Sequence, residues 1–224
     1  MTAERLPCIE IDPPTTPKTS IIWLHGLGAD GHDFEPIAAE LRLPPALAVR
    51  FVFPHAPQRP VTINGGYVMR AWYDIAAPDL GQGVDLAGVE ASRRAVERLV
   101  DDERAAGREA SHIILAGFSQ GGVIALETAA HYSDQLGGVI ALSTYLAAPA
   151  QFPPARGAMP VFMAHGTQDP IVPYGMAQRG SATLDDKGYA VEWHDYPMPH
   201  SVCGQEIADL RAWLLRRLMP GGEQ

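Results

Sequence analysis

Strand-length apolar runs alternate with segments of helical periodicity along almost the whole chain, and this alternation limits its possible folds more than any other feature. Residues 21–24 form a continuous apolar run ending in His25-Gly26, the pattern of a strand buried on both faces. Asp33 is placed to N-cap a short helix that runs through Leu41. Residues 50–53 read as a second strand, which Pro54 stops. Leu86, Val89, Val96, Leu99 and Val100 keep helical spacing across a charged segment that ends at Gly107. Further strands are predicted at residues 112–116, 138–142, 160–164 and 191–196, with helices at 121–131 and in a segment ending at Gly188. Ile207, Leu210, Leu214 and Leu218 give the closing helix one apolar face. Repetition of this kind calls for right-handed crossovers and a mostly parallel sheet covered on both faces, an α/β fold.

With 224 residues, no internal repeat and no linker, residues 1–224 read as one domain. The formal charge of −9 argues against nucleic acid or an anionic membrane surface as a main partner. No apolar run approaches the roughly 20 residues of a membrane-spanning helix, so stable membrane insertion is not expected. Residues 1–12 carry Glu4, Arg5, Glu10 and Asp12 in place of an apolar signal segment, which makes the cytoplasm the expected compartment. Cys8 and Cys203 lie far apart, without metal-ligand spacing or a disulfide framework.

Two stretches depart from the alternation. Residues 54–78 make a long excursion in which Asn64-Gly65-Gly66 suggests a small hairpin, and a loop of that length in a compact domain is usually functional. Residues 147–159 are short and hold three prolines, which leaves no room for a helical cap. The excursion is therefore the expected lid. Its Ile63, Val68, Met69, Trp72 and Tyr73 would give a substrate cleft an apolar wall, unless they anchor the loop to the core.

Gly117-Phe118-Ser119-Gln120-Gly121 fits the Gly-x-Ser-x-Gly pattern of a nucleophile elbow, and it stands between an apolar strand and an apolar helix, as that motif requires. Tight-turn geometry exposes the hydroxyl, and the flanking glycines let strand and helix approach closely. The competing reading is a serine that merely caps the helix. A serine nucleophile needs a base, and the base an orienting acid. Asp169 follows the strand at 160–164 and His200 follows the last strand, so all three residues fall at carboxyl ends of parallel strands, in the order Ser, Asp, His. An Asx turn is the alternative role for Asp169, and His55 is the rival base. The glycine-rich His25-Gly26-Leu27-Gly28 follows the first long strand. It points to an oxyanion hole made from the backbone N–H groups of Leu27 and Gln120. Read as a phosphate cradle, the same loop lacks the Lys and Ser/Thr of a P-loop.

Leu24-His25-Gly26-Leu27-Gly28, Gly117-Phe118-Ser119-Gln120-Gly121-Gly122, His165-Gly166-Thr167-Gln168-Asp169 and Tyr196-Pro197-Met198-Pro199-His200 together resemble the phospholipase/carboxylesterase family of α/β-hydrolases, which includes bacterial carboxylesterases and acyl-protein thioesterases. The segment from Pro60 to Asp74 resembles its bacterial members, and the likeness runs from about Ile21 to Leu218. One departure is Pro199, where many relatives carry Gly. The resemblance implies an α/β-hydrolase fold, a triad at Ser119, Asp169 and His200, and an oxyanion pair at Leu27 and Gln120. It also implies no cofactor and often a homodimer; no metal site is expected. The expected activity is hydrolysis of carboxylic esters with short to medium acyl chains. Deacylation of S-acylated proteins or lysophospholipids is the alternative, and a non-catalytic binder on the same scaffold the remote one.

Overall fold

A computed structural model describes residues 5–219. The main sheet has seven strands: β1 (Cys8–Ile11), β2 (Thr19–Leu24), β3 (Val49–Pro54), β6 (Ile113–Phe118), β7 (Gly138–Leu142), β8 (Pro160–Gly166) and β9 (Ala190–Tyr196). Strands β4 (Gln58–Val61) and β5 (Tyr67–Arg70) form a separate hairpin inside the excursion. Spatial order in the sheet is β1-β3-β2-β6-β7-β8-β9, with β1 antiparallel to β3 and every other pairing parallel. Helices are α1 (Ile37–Glu40), α2 (Leu86–Ala105), α3 (Gln120–His131), α4 (Tyr174–Asp186) and α5 (Gly204–Leu218). The architecture is that of an α/β-hydrolase, and residues 147–159 contain no helix.

Period-two side-chain alternation explains why central strands can be apolar throughout. Ile22 and Leu24 of β2 and Ile113 and Leu115 of β6 face a core shared with α2, α3 and α4. Their neighbours Ile21, Trp23, Ile114 and Ala116 face the opposite core, closed by α1 and α5. Helix α3 lies between the sheet and α2, and every residue from Gln120 to Ala130 is buried, so it shows little amphipathic patterning. Among the described residues no helix is long and apolar enough to cross a membrane.

Two local expectations need correction. Asp33 does not cap a helix through Leu41: Asp30 accepts from the His32 N–H and caps a single 3-10 turn, Gly31–Asp33. Residues 34–36 then form turns closed by Ile37 N–H to Phe34 O at 3.0 Å and Ala38 N–H to Glu35 O at 3.3 Å, and Pro36 has no N–H to give to His32, so α1 begins only at Ile37. Strand β1 is an addition. Its four residues sit at the sheet edge, where partial exposure removes the apolar run that marks the inner strands.

At the amino-terminal ends of the strands an ionic cluster joins sheet to helix. Buried Glu103 of α2 accepts from the Ser20 hydroxyl and pairs with Arg50 at 3.2 Å and Arg108 at 2.6 Å. Arg50 reaches on to Glu10 of β1 at 2.6 Å and to Asp12. Paired in this way, the carboxylate avoids the cost of an isolated buried charge.

Candidate active site

Ser119 sits between the last residue of β6 and the first of α3, with φ 55° and ψ −120°, a conformation that non-glycine residues rarely adopt. Its surroundings over-determine that turn. Its N–H donates to Leu142 O at 2.9 Å, and its carbonyl accepts from the Gly122 N–H at 3.0 Å and the Thr144 hydroxyl at 2.7 Å. A Cβ on Gly117 would collide with the Gly121 carbonyl, and one on Gly121 with the carbonyls of Leu24 and His25. The motif glycines are thus required by backbone approach. The Ser119 side chain makes no capping bond to α3, which removes the helix-cap reading.

Asp169 uses its two oxygens separately. Oδ1 accepts the Ile171 and Val172 N–H groups at 2.8 and 2.9 Å, forming the Asx turn, while Oδ2 lies 2.7 Å from His200 Nδ1. Asp169 thus makes the Asx turn and contacts His200 at the same time. Since a carboxylate only accepts, the contact places the His200 proton on Nδ1 and leaves Nε2 without one. Pro199 does not prevent this reach. The loops carrying Asp169 and His200 are stitched together by Thr167 N–H to Tyr196 O (2.8 Å) and Gln168 N–H to Met198 O (3.1 Å). The His200 ring packs on Phe118 with centroids 4.7 Å apart.

His165 also approaches Oδ2, its Nε2 lying 3.3 Å away and 2.9 Å from Val172 O. Two acceptors place its proton on Nε2. Burial pushes its pKa down, so it supports Asp169 as a neutral donor. Downstream, Cys203 caps α5, and the fully buried Glu206 accepts from the Cys203 N–H at 3.4 Å. Burial raises the Glu206 carboxyl to about 8.

On the other side of the elbow, the His25-Gly26-Leu27-Gly28 loop leaves β2. His25 is a structural histidine. Its Nδ1 meets Gly26 O at 2.7 Å, its Nε2 accepts from the Ala56 N–H at 3.0 Å, and burial lowers its pKa to about 4. The loop is pinned further by Gly28 N–H to Arg70 O at 2.9 Å. Leu27 and Gln120 line the same cleft as Ser119 and His200, and among the described residues neither backbone N–H is given to a protein acceptor. His55, the rival base, accepts from the Gly31 N–H at 3.0 Å and is not part of the cleft lining.

The cleft has a volume of about 260 Å³. Of the five excursion residues expected along its wall, only Tyr73 is there. Ile63 and Val68 point to solvent from the hairpin, and Met69 lies against the Gly28 loop. Trp72 is fully buried in the core. Ile75, Leu80, Tyr145, Ile171 and Val172 supply the apolar wall instead. Their shared signal in the sequence is position: Tyr145 follows β7, and Ile171 and Val172 follow the Asp169 turn, so these three lie in loops at carboxyl ends of strands. The hydroxyls of Tyr73 and Tyr145 meet at 2.9 Å, and burial raises both their pKa values.

A strained serine between a central parallel strand and its helix, with an Asp–His pair at the same sheet edge, defines an α/β-hydrolase of the serine type. The model of the phospholipase/carboxylesterase family matches residues 6–216, and the chain belongs to that family. It is 35% identical to acyl-protein thioesterase 1 of Cryptococcus neoformans, an alignment covering 94% of this chain and 97% of that protein. The crystal structure of Arabidopsis thaliana SOBER1, a carboxylesterase 33% identical to this chain, superposes with a TM-score of 0.83 over 90% of this chain and all of that one. The Bacillus cereus carboxylesterase, at 19% identity, shares the fold with a TM-score of 0.79 over 96% of each chain.

Proposed function

We propose that this cleft hydrolyses carboxylic esters of short to medium acyl chains through an acyl-enzyme on Ser119. The observation that carries the reading is the 2.7 Å contact of His200 Nδ1 with Asp169, which frees Nε2 on a ring lining the same cleft as the strained Ser119. His200 takes the Ser119 proton as the hydroxyl attacks the carbonyl, and Asp169 stabilises the imidazolium. The Leu27 and Gln120 N–H groups receive the oxyanion, each contributing on the order of 3 kcal/mol to the transition state. His200 then protonates the departing alkoxide, and water activated by the same imidazole releases the acid. No step needs a cofactor. The apolar wall and modest cleft volume support acyl groups of limited length.

A second reading, hydrolysis of longer acyl thioesters or lysophospholipids, is favoured by the relatives named acyl-protein thioesterase 1. Turnover of p-nitrophenyl esters and matched thioesters from two to sixteen acyl carbons separates the two. A maximum at short or medium esters supports the first, and a maximum at long thioesters replaces it with the second. Labelling of Ser119 by a fluorophosphonate tests the nucleophile itself, and an unlabelled wild-type protein would refute both readings.

A further inference from the structure

Trp72 has no place in the cleft wall, yet its polar groups connect the two segments that carry the oxyanion donors. Its indole N–H donates to the carbonyl of His25 at 2.9 Å, and its ring packs on the His25 imidazole with centroids 5.3 Å apart. Its backbone N–H donates to the Gln120 side-chain oxygen at 2.9 Å. The same Gln120 amide donates from Nε2 to the Tyr73 carbonyl at 2.7 Å, and the Ser92 hydroxyl of α2 donates to the Trp72 carbonyl. His25 lies two residues before Leu27, and Gln120 carries the second donor on its own backbone.

The need for such a tie follows from where the sheet stops. Parallel pairing of β2 with β6 ends at Leu24↔Gly117, so Leu27 and Gln120 both lie beyond the last ladder pair. An oxyanion hole works only when its donors meet the developing charge at about 2.7–3.1 Å, with a tolerance of roughly 0.5 Å. The Trp72-Tyr73 segment bridges the two loops beyond the end of the ladder with three hydrogen bonds.

We infer that Trp72 is a positioning residue: through His25 and the Gln120 side chain it fixes the spacing of the Leu27 and Gln120 N–H groups. The inference rests on the hydrolytic reading of the cleft. It also reverses the expectation for this residue, because a wall residue governs which acyl chain binds, whereas a tie across the oxyanion hole governs the chemical step.

The test is Trp72→Phe, which deletes the indole N–H and keeps a buried aromatic ring. Expected is a fall in kcat of about 10- to 100-fold, with KM within about twofold of wild type. Affinity for a trifluoromethyl ketone, whose adduct places an oxyanion in the hole, should fall by the same factor. The order of preference across acyl lengths should stay as in wild type. Unchanged kcat and inhibitor affinity, or a changed chain-length preference at wild-type kcat, would overturn the assignment. If Trp72→Phe does not fold, Gln120→Met removes both side-chain bonds to the excursion and leaves the backbone donor in place. It should show the same kcat-selective loss, and full activity there overturns the proposal. Wild type that is inert to esters and fluorophosphonate refutes the hydrolytic reading. Labelled, active wild type beside a fully active variant refutes only the positioning role.

Discussion

The elbow around Ser119 and the excursion at residues 54–78 border the same cleft but are specified in different ways. At the elbow the backbone itself is constrained: Gly117 and Gly121 admit no Cβ, and their spacing in the chain follows directly from that contact. Past its hairpin the excursion has irregular backbone, and adjacent side chains there differ in what they face. Trp72 and Tyr73 are both buried in the same core, but only Tyr73 also lines the cleft, although composition treats them alike. Steric exclusion leaves a mark in sequence, and side-chain facing in an aperiodic loop does not.

The sharpest way to break this contrast is at the elbow. Ser119→Ala should reduce ester turnover by at least about 1,000-fold with an unchanged melting temperature; measurable burst kinetics in the variant would remove the assignment. Next is Gly121→Ala, where the new methyl meets two backbone carbonyls that cannot yield cheaply. A loss of about 3 kcal/mol in urea unfolding is expected, and a loss below 1 kcal/mol would mean that the elbow is more tolerant than its contacts indicate.

His25 joins the two regions, and its sensitivity is to pH. Its folded-state pKa of about 4 lies below the ordinary value of 6.5, so between these values the unfolded chain binds a proton that the folded chain refuses. Its contribution is complete above pH 6.5 and is lost as pH falls towards 4, by about 3 kcal/mol. Unfolding free energies measured from pH 7 to 4.5 should therefore fall more steeply for wild type than for His25→Gln, and parallel slopes would contradict this.

Smaller effects belong to the excursion. Tyr73→Phe removes the hydroxyl that meets Tyr145 and should shift the ratio of butyrate to acetate turnover by about two- to fivefold, at a stability cost of about 1 kcal/mol. The pair Ile63→Ser and Val68→Ser, both on the exposed hairpin, should leave that ratio within about 1.5-fold of wild type. A larger change would return these residues to the substrate's path.

The same distinction explains what was legible from the sequence. The inner strands announce themselves because burial on both faces demands continuous apolar residues, as in β2, β6 and β8. Strand β1 alternates Ile9 and Ile11 with Cys8 and Glu10 at a half-exposed edge, too short a pattern to stand out. Helix α1 starts only after Pro36, whose missing N–H interrupts the helical bonding that the capping signal of Asp33 suggested. Among the site residues, Ser119, Asp169 and His200 could be placed because each follows a recognisable strand. Wall residues such as Ile75 and Leu80 could not, since nothing in their immediate sequence distinguishes lining a cleft from filling a core.

The ionic cluster around Glu103 lies at the strand ends remote from the cleft, and that separation bears on how such a chain can diverge. Loops at the carboxyl ends can exchange residues, and so the substrates they accept, while the clasp of Ser20, Arg50, Arg108 and Glu103 still fastens helix α2 to the sheet. One rim is free to vary its chemistry because the opposite rim preserves the frame.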